Sequence, residues 1–133
     1  MSRTLARRDA LALTVGEVMI RAPKTLPAAA SVGEVRRLFG RPNVRTVLLT
    51  DAGAFAGAIE RDRLPHDHPD STPARECIEP EPATATPGMP MSDAVRLLEA
   101  RDEPRLVVLE EDGMTLAGLL CANPGATGFC TRP

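Results

Sequence analysis

The residues best suited by type to chemistry lie in one polar stretch, His66-Asp67-His68 with Asp70, where imidazoles and carboxylates stand close enough to suggest a metal site. They sit inside Pro65-His-Asp-His-Pro-Asp-Ser-Thr-Pro73, a proline-rich connector with no fixed geometry for coordination, so no metal is expected there. The three cysteines, Cys77, Cys121 and Cys130, are odd in number and lack Cys-x-x-Cys spacing, which fits neither a disulfide framework nor a zinc knuckle. Cys121 and Cys130 are nine residues apart, without the His and Asp or Asn that would activate a thiol nucleophile. Cys77 follows an apolar pattern and reads as a small core residue. Gly53, Gly57, Gly113 and Gly118 form neither a G-x-G-x-x-G nor a Walker pattern, and read as turn and close-approach glycines. Arg3, Arg7 and Arg8 stand beside Asp9 with no aromatic platform for bases, so nucleic acid is not an expected partner. No nucleophile or acid–base constellation emerges, and the chain is not expected to be an enzyme.

The elements that hold these residues must come from a chain of 133 residues, the length of one domain. Its composition is 43% hydrophobic with three Phe and neither Trp nor Tyr, so an aliphatic core is required. A net charge of −2 with mixed signs sets up no broad field for nucleic acid or anionic membrane. No apolar run reaches the roughly 20 residues of a membrane helix, and residues 1–12 lack a signal-type apolar stretch. A reduced, cytoplasmic location is the expectation.

The sequence repeats. Val15–Leu64 and Ala74–Cys121 carry the same series of elements about 60 residues apart. Each copy opens on a short helical turn. The first is Val15-Gly-Glu-Val-Met19, with Thr14 and Glu17 spaced as a capping box; the second is Ala74-Arg-Glu-Cys-Ile78, with Thr72 and Pro73 as cap and first helical residue. A short extended piece follows, Lys24–Leu26 or Ala83–Ala85, and then a helix. Ser31 and Glu34 cap the first helix, which puts Val32, Val35, Leu38 and Phe39 on one face. Met91, Ala94, Val95, Leu97 and Leu98 do the same in the second. Two apolar strands close each copy: Arg45–Thr50 with Phe55–Ile59, and Arg105–Leu109 with Thr115–Leu120. The expected organisation is an N-terminal arm (1–13), a first motif (14–64), a linker (65–73), a second motif (74–121) and a tail (122–133).

These residues resemble a tandem pair of CBS (cystathionine-β-synthase-type) motifs. The likeness rests on Val15-Gly-Glu-Val-Met19, Ser31-Val-Gly-Glu-Val35, Val44-Arg-Thr-Val-Leu-Leu-Thr-Asp51, and Phe55-Ala-Gly-Ala-Ile59 leading to Arg61-Asp-Arg-Leu64. In the second copy it rests on Met91-Ser-Asp-Ala-Val-Arg-Leu-Leu98, Pro104–Leu109 and Leu116–Leu120. The resemblance implies an α+β fold of two tandem β-α-β-β-α motifs packed as one pseudo-twofold domain with two clefts. It also implies a homodimer, a regulatory ligand of adenosyl type (AMP, ATP or S-adenosylmethionine) and a protein partner that reads the bound state. The alternative is a degenerate pair serving only as a dimerisation or docking scaffold.

By the same resemblance, the purine would lie near Thr25, Leu26, Thr46 and Val47 in the first copy. Thr84, Ala85, Leu106 and Val107 would serve in the second. The family's third strand usually ends in Gly-h-h-Thr-x-x-Asp, the Thr for phosphate and the Asp for ribose. Here Gly57-Ala58-Ile59 leads to Glu60 at the Thr position and Arg63 at the Asp position. Gly118-Leu119-Leu120 leads to Cys121 and Pro124. Glu60 would repel phosphate, Arg63 would offer it a forked donor, and Pro124 has no acceptor side chain. The prolines usual before the second-strand Val-Val are absent, with Val47 and Val107 in their places. On these residues the first copy carries the better ligand chemistry.

Overall fold

The computed structural model describes residues 4–101, 104–123 and 128–130 of an α+β protein. In chain order the first elements are β1 (Thr4–Ala6), α1 (Arg7–Ala10), α2 (Val15–Val18), β2 (Thr25–Pro27), α3 (Val32–Phe39), β3 (Thr46–Asp51) and β4 (Ala54–Glu60). Two 3₁₀ turns follow, Arg61–Arg63 and Ala74–Cys77, then β5 (Thr84–Ala85), α4 (Met91–Glu99), β6 (Arg105–Leu109), β7 (Leu116–Ala122) and β8 (Gly128–Cys130).

Two compact units result, and they cross the expected motif boundaries: Lys24–Pro82 is one, and Met1–Pro23 with Ala83–Pro133 is the other. Each motif's opening turn therefore belongs to the unit built on the other motif's sheet. Backbone hydrogen bonds explain the exchange. The first helical N–H groups of α2 are orphan donors, and Val15 and Gly16 donate to Met89 O and Pro87 O just before α4, while Met91 donates back to Leu13 O. Likewise Val32 and Gly33 at the start of α3 donate to Thr72 O and Asp70 O, and Ala74 donates to Ala30 O.

In the Lys24–Pro82 unit a three-stranded sheet runs β2-β3-β4, with β2 parallel and β4 antiparallel to β3. The expected cap of α3 forms, Ser31 Oγ accepting from Glu34 N at 3.3 Å, and Val32, Val35 and Phe39 are buried. Val35 and Phe39 share a core with Val47, Leu49, Ile59 and Ala74. Ala52 and Gly53, with φ of 51° and 86°, make the two-residue left-handed turn that matches strand twist between β3 and β4. The connector is held more firmly than its composition suggests. Arg36 binds Asp70 at 2.6 Å and donates to Pro65 O and His66 O, so the His66–Asp70 stretch is tied to α3.

In the other unit a five-stranded sheet runs β1-β8-β7-β6-β5. The described parts of the expected arm and tail supply β1, α1 and β8. Phe129 and Ala10 are fully buried in a core with Val15, Val18, Met91, Leu98, Leu106 and Leu120. Leu97 departs from the expected stripe: Met91, Ala94, Val95 and Leu98 face the core, whereas Leu97 lies off that face and is 38% exposed. The β6–β7 turn is fastened by the Asp112 carboxylate, which accepts from Met114 N, Thr115 N and the Thr115 hydroxyl. Those bonds hold its pKa below the ordinary carboxylate value.

Candidate functional site

The two copies can be superposed strand by strand, because each hairpin carries a one-residue bulge at the same place, between Leu49 and Thr50 and between Val108 and Leu109. Gly57 opposite Leu49 then matches Gly118 opposite Val108, and Glu60 opposite Thr46 matches Cys121 opposite Arg105. Thr25 pairs with Leu48 as Thr84 pairs with Val107. Leu106 is thus the counterpart of Val47 and Val107 that of Leu48, while the residue matching Thr46 is Arg105, which reading along the sequence missed. The second hairpin has a longer turn, so the repeat as it runs along the sequence is offset by one residue in β6. Counting back from Cys121 through the ladder recovers Arg105.

Most of the expected ligand-facing residues are core. Val47, Ala58, Ile59, Ala85, Leu106, Val107 and Leu120 are all buried. Thr25, Arg63 and Thr84 are exposed, and Leu26 and Cys121 are partly so. Pro124 lies outside the described residues.

At the end of β4 two buried polar side chains are hydrogen-bonded across the ladder. The Thr46 hydroxyl donates to Glu60 Oε2 at 2.5 Å, and the two residues are only 6% and 5% exposed. The position where the resemblance expects a threonine hydroxyl is thus taken by a buried carboxylate that accepts from Thr46. The strand end is pinned by Arg61, which donates to Val44 O and Arg41 O and lies 5.2 Å over the Phe39 ring. Arg63 follows on the exposed side of this turn.

The second copy has the opposite chemistry. Cys121 lies between Arg105 on one neighbouring strand and Cys130 on the other. Its thiol is pushed up from an ordinary 9.0 to about 11, by burial first and by the neighbouring Cys130 second, against an opposing pull from Arg105. At this ladder position the first copy thus carries a carboxylate beside a hydroxyl, and the second a thiol beside a guanidinium. Among the described residues, no group of three His, Cys, Asp or Glu gathers as a metal site. Nor is any helix long and apolar enough to cross a membrane.

The raised Cys121 value has a sign that can be measured. Folding holds this proton more tightly than the unfolded chain does, so its contribution is complete below pH 9.0 and lost as pH rises toward 11. Stability from urea melts is expected to fall across that window, and Cys121→Ala should flatten the decline. The chain has no tyrosine and Lys24 as its sole lysine, but Cys77 is also raised by burial and by Glu76, so the readout is the difference between wild type and Cys121→Ala. An equal decline in Cys121→Ala would refute the assignment.

The comparisons agree with this geometry. The CBS domain family matches residues 15–64 and 74–122. No curated protein matches the chain. Among solved structures, the cystathionine beta-synthase pair domain of a candidate Mg2+ transporter from Shewanella oneidensis is similar at 19% identity and a TM-score of 0.72, covering 82% of this chain and 65% of that one. A CBS-pair protein of Arabidopsis thaliana is similar at 21% identity and a TM-score of 0.71, covering 82% and 88%. A CBS domain protein of Pyrobaculum aerophilum complexed with AMP is similar at 20% identity and a TM-score of 0.71, covering 82% and 87%. With a family match over most of its length, in two tandem copies whose ladders superpose bulge for bulge, the chain belongs to the CBS domain family.

Proposed function

We propose that this CBS pair is a regulatory module that binds an adenosyl ligand, discriminates against phosphate at the first motif, and passes the bound state to a protein partner as a homodimer. The observation that carries the ligand preference is the buried Thr46–Glu60 hydrogen bond. A carboxylate at the end of β4 opposes a phosphate at close range and favours a cationic group, and selectivity built on repulsion is a common device. Of the adenosyl compounds considered, S-adenosylmethionine carries a sulfonium and no phosphate, whereas AMP and ATP bring the wrong charge. Support for an adenosyl ligand as a class comes from the AMP complex of the Pyrobaculum aerophilum relative.

The test is a thermal-shift series with S-adenosylmethionine, AMP and ATP on the wild type, Glu60→Thr and Arg63→Ala. A ligand at about 100 times its Kd adds roughly 2.7 kcal/mol of stability. The wild type is expected to respond to S-adenosylmethionine and not to AMP, and Glu60→Thr should gain the AMP response. An AMP response in the wild type that Arg63→Ala abolishes would overturn the phosphate discrimination. The burial of Val47, Ala58, Ile59, Leu106 and Leu120 favours a second reading, a docking scaffold without a small molecule. That reading is adopted if no ligand shifts either the wild type or Glu60→Thr at millimolar concentration.

A further inference from the structure

Cys121 and Cys130, nine residues apart in sequence, are direct partners on the antiparallel strands β7 and β8. Antiparallel partners stand about 4.5 or about 5.5 Å apart at Cα, according to the type of pair. Both values fall within the roughly 4.4–6.8 Å that a disulfide spans, and directly opposed residues point to the same face of the sheet. Both side chains are partly exposed and reduced in this structure. Cys130 Sγ is oriented toward Asn123 Oδ1 at 3.6 Å, and Arg105, cross-strand from Cys121 on its other side, supplies a positive charge. Two thiols in register with a cation beside them are the elements of a dithiol site rather than of two unrelated core cysteines.

We propose that Cys121 and Cys130 form a redox-active cross-strand dithiol that closes to an intramolecular disulfide in exchange with a low-molecular-weight disulfide. The Cys130 thiolate attacks one sulfur of R–S–S–R, forming a mixed disulfide and releasing R–S⁻, which takes up a proton. Cys121 then loses its proton to solvent and attacks the Cys130 sulfur, expelling the second R–S⁻. Two protein thiols are oxidised and one external disulfide is reduced to two thiols. Cys121 acts second because burial keeps it protonated, which also makes closure faster as pH rises.

The bond has a structural consequence. β8 has three residues and carries β1 on its outer edge, so a covalent tie from β7 to β8 fastens this edge of the five-stranded sheet. Cys121 is also the counterpart of Glu60, so oxidation alters the second copy at the position where the first carries its carboxylate.

The experiment is incubation of the purified full chain with glutathione at a series of oxidised-to-reduced ratios, followed by acid quench, intact mass and peptide mapping. Free thiols are expected to fall from the three in the sequence to one, with a monomer mass two hydrogens lighter and a peptide linking Cys121 to Cys130. Cys77→Ser should form the same bond, and Cys130→Ser should not. The wild-type map decides the matter even if a variant fails to fold. A stable glutathione adduct without closure, a bridge through Cys77, an intermolecular bridge, or three thiols surviving the most oxidising mixture would each overturn the proposal.

Discussion

Phe129→Ala is expected to destabilise the protein by about 3–5 kcal/mol, a large share of the roughly 5–15 kcal/mol that holds a typical domain together. Phe129 is fully buried on β8 and is the largest such side chain in the described structure. It belongs to the cluster that also contains Ala10 of α1 and Val15 and Val18 of α2, so this core joins elements distant in sequence. The neighbours are mostly small or branched and fixed on strands and short helices, and cannot collapse into the space it leaves. Phe55, only half-buried on β4, should cost less on truncation to alanine. Urea melts would show a lower midpoint with little change in slope for Phe129→Ala. A loss below about 0.5 kcal/mol, the size of an ordinary surface change, would mean that β8 does not pack as described.

That prediction concerns a segment whose role was not legible in the sequence. Three residues of strand are too few to display alternation, so neither β1 nor β8 leaves a pattern to read. The elements with a full period were legible: α3 from its Ser31 cap and Val32, Val35, Phe39 spacing, and β3, β4, β6 and β7 from their apolar runs. Leu97 lies outside the buried stripe, and an apolar type at the margin of a stripe does not say on which side of the boundary it falls. The exchange of opening turns was invisible for a different reason. It is made by backbone carbonyls of Thr72, Asp70, Met89 and Pro87, and backbone groups are the same in every sequence.

The candidate site was half legible for a related reason. Glu60 and Cys121 could be picked out by counting from Gly57 and Gly118 along one strand. The pairing of Thr46 with Glu60, and the place of Arg105 beside Cys121, required the cross-strand register, which depends on bulges and turn lengths. With register in hand, the departures at Glu60 and Cys121 become two different polar pairs, one acidic and one basic, where an internal repeat would suggest two equal sites. The two copies thus carry chemically distinct side chains at one ladder position, and the proposed charge selectivity and the proposed response to oxidation fall on different copies. The two can be probed independently, since Glu60→Thr leaves the thiols untouched and Cys130→Ser leaves the carboxylate.

Gly118→Ala is expected to be the other severe substitution, at about 3 kcal/mol. A Cβ there would stand 2.5 Å from Ile20 O and 2.8 Å from Met19 Sδ. The sulfur can swing away, but the carbonyl cannot. Ile20 O accepts from Leu119 N at 3.0 Å, and Ile20 N donates to Leu119 O at 2.8 Å, so the added methyl pushes on a two-bond bridge. Breaking two hydrogen bonds at about 1 kcal/mol each, with overpacking of about 1–3 kcal/mol, accounts for the estimate after partial relaxation. Gly57 is the counterpart, and the obstacle there is of another kind: a Cβ would meet Ile78 Cγ2 at 2.5 Å, and φ is +153°. A side chain can be cut back, so Ile78→Ala should partly rescue Gly57→Ala and leave a residue of backbone strain of about 1–3 kcal/mol. Met19→Ala should not rescue Gly118→Ala, because the carbonyl of Ile20 is still there. Double-mutant cycles on both pairs separate the two cases. Equal rescue at Gly118 would show that the opening turn of the first motif is held on β7 by its side chains, and the backbone bridge would then lose its place as the contact that seats it.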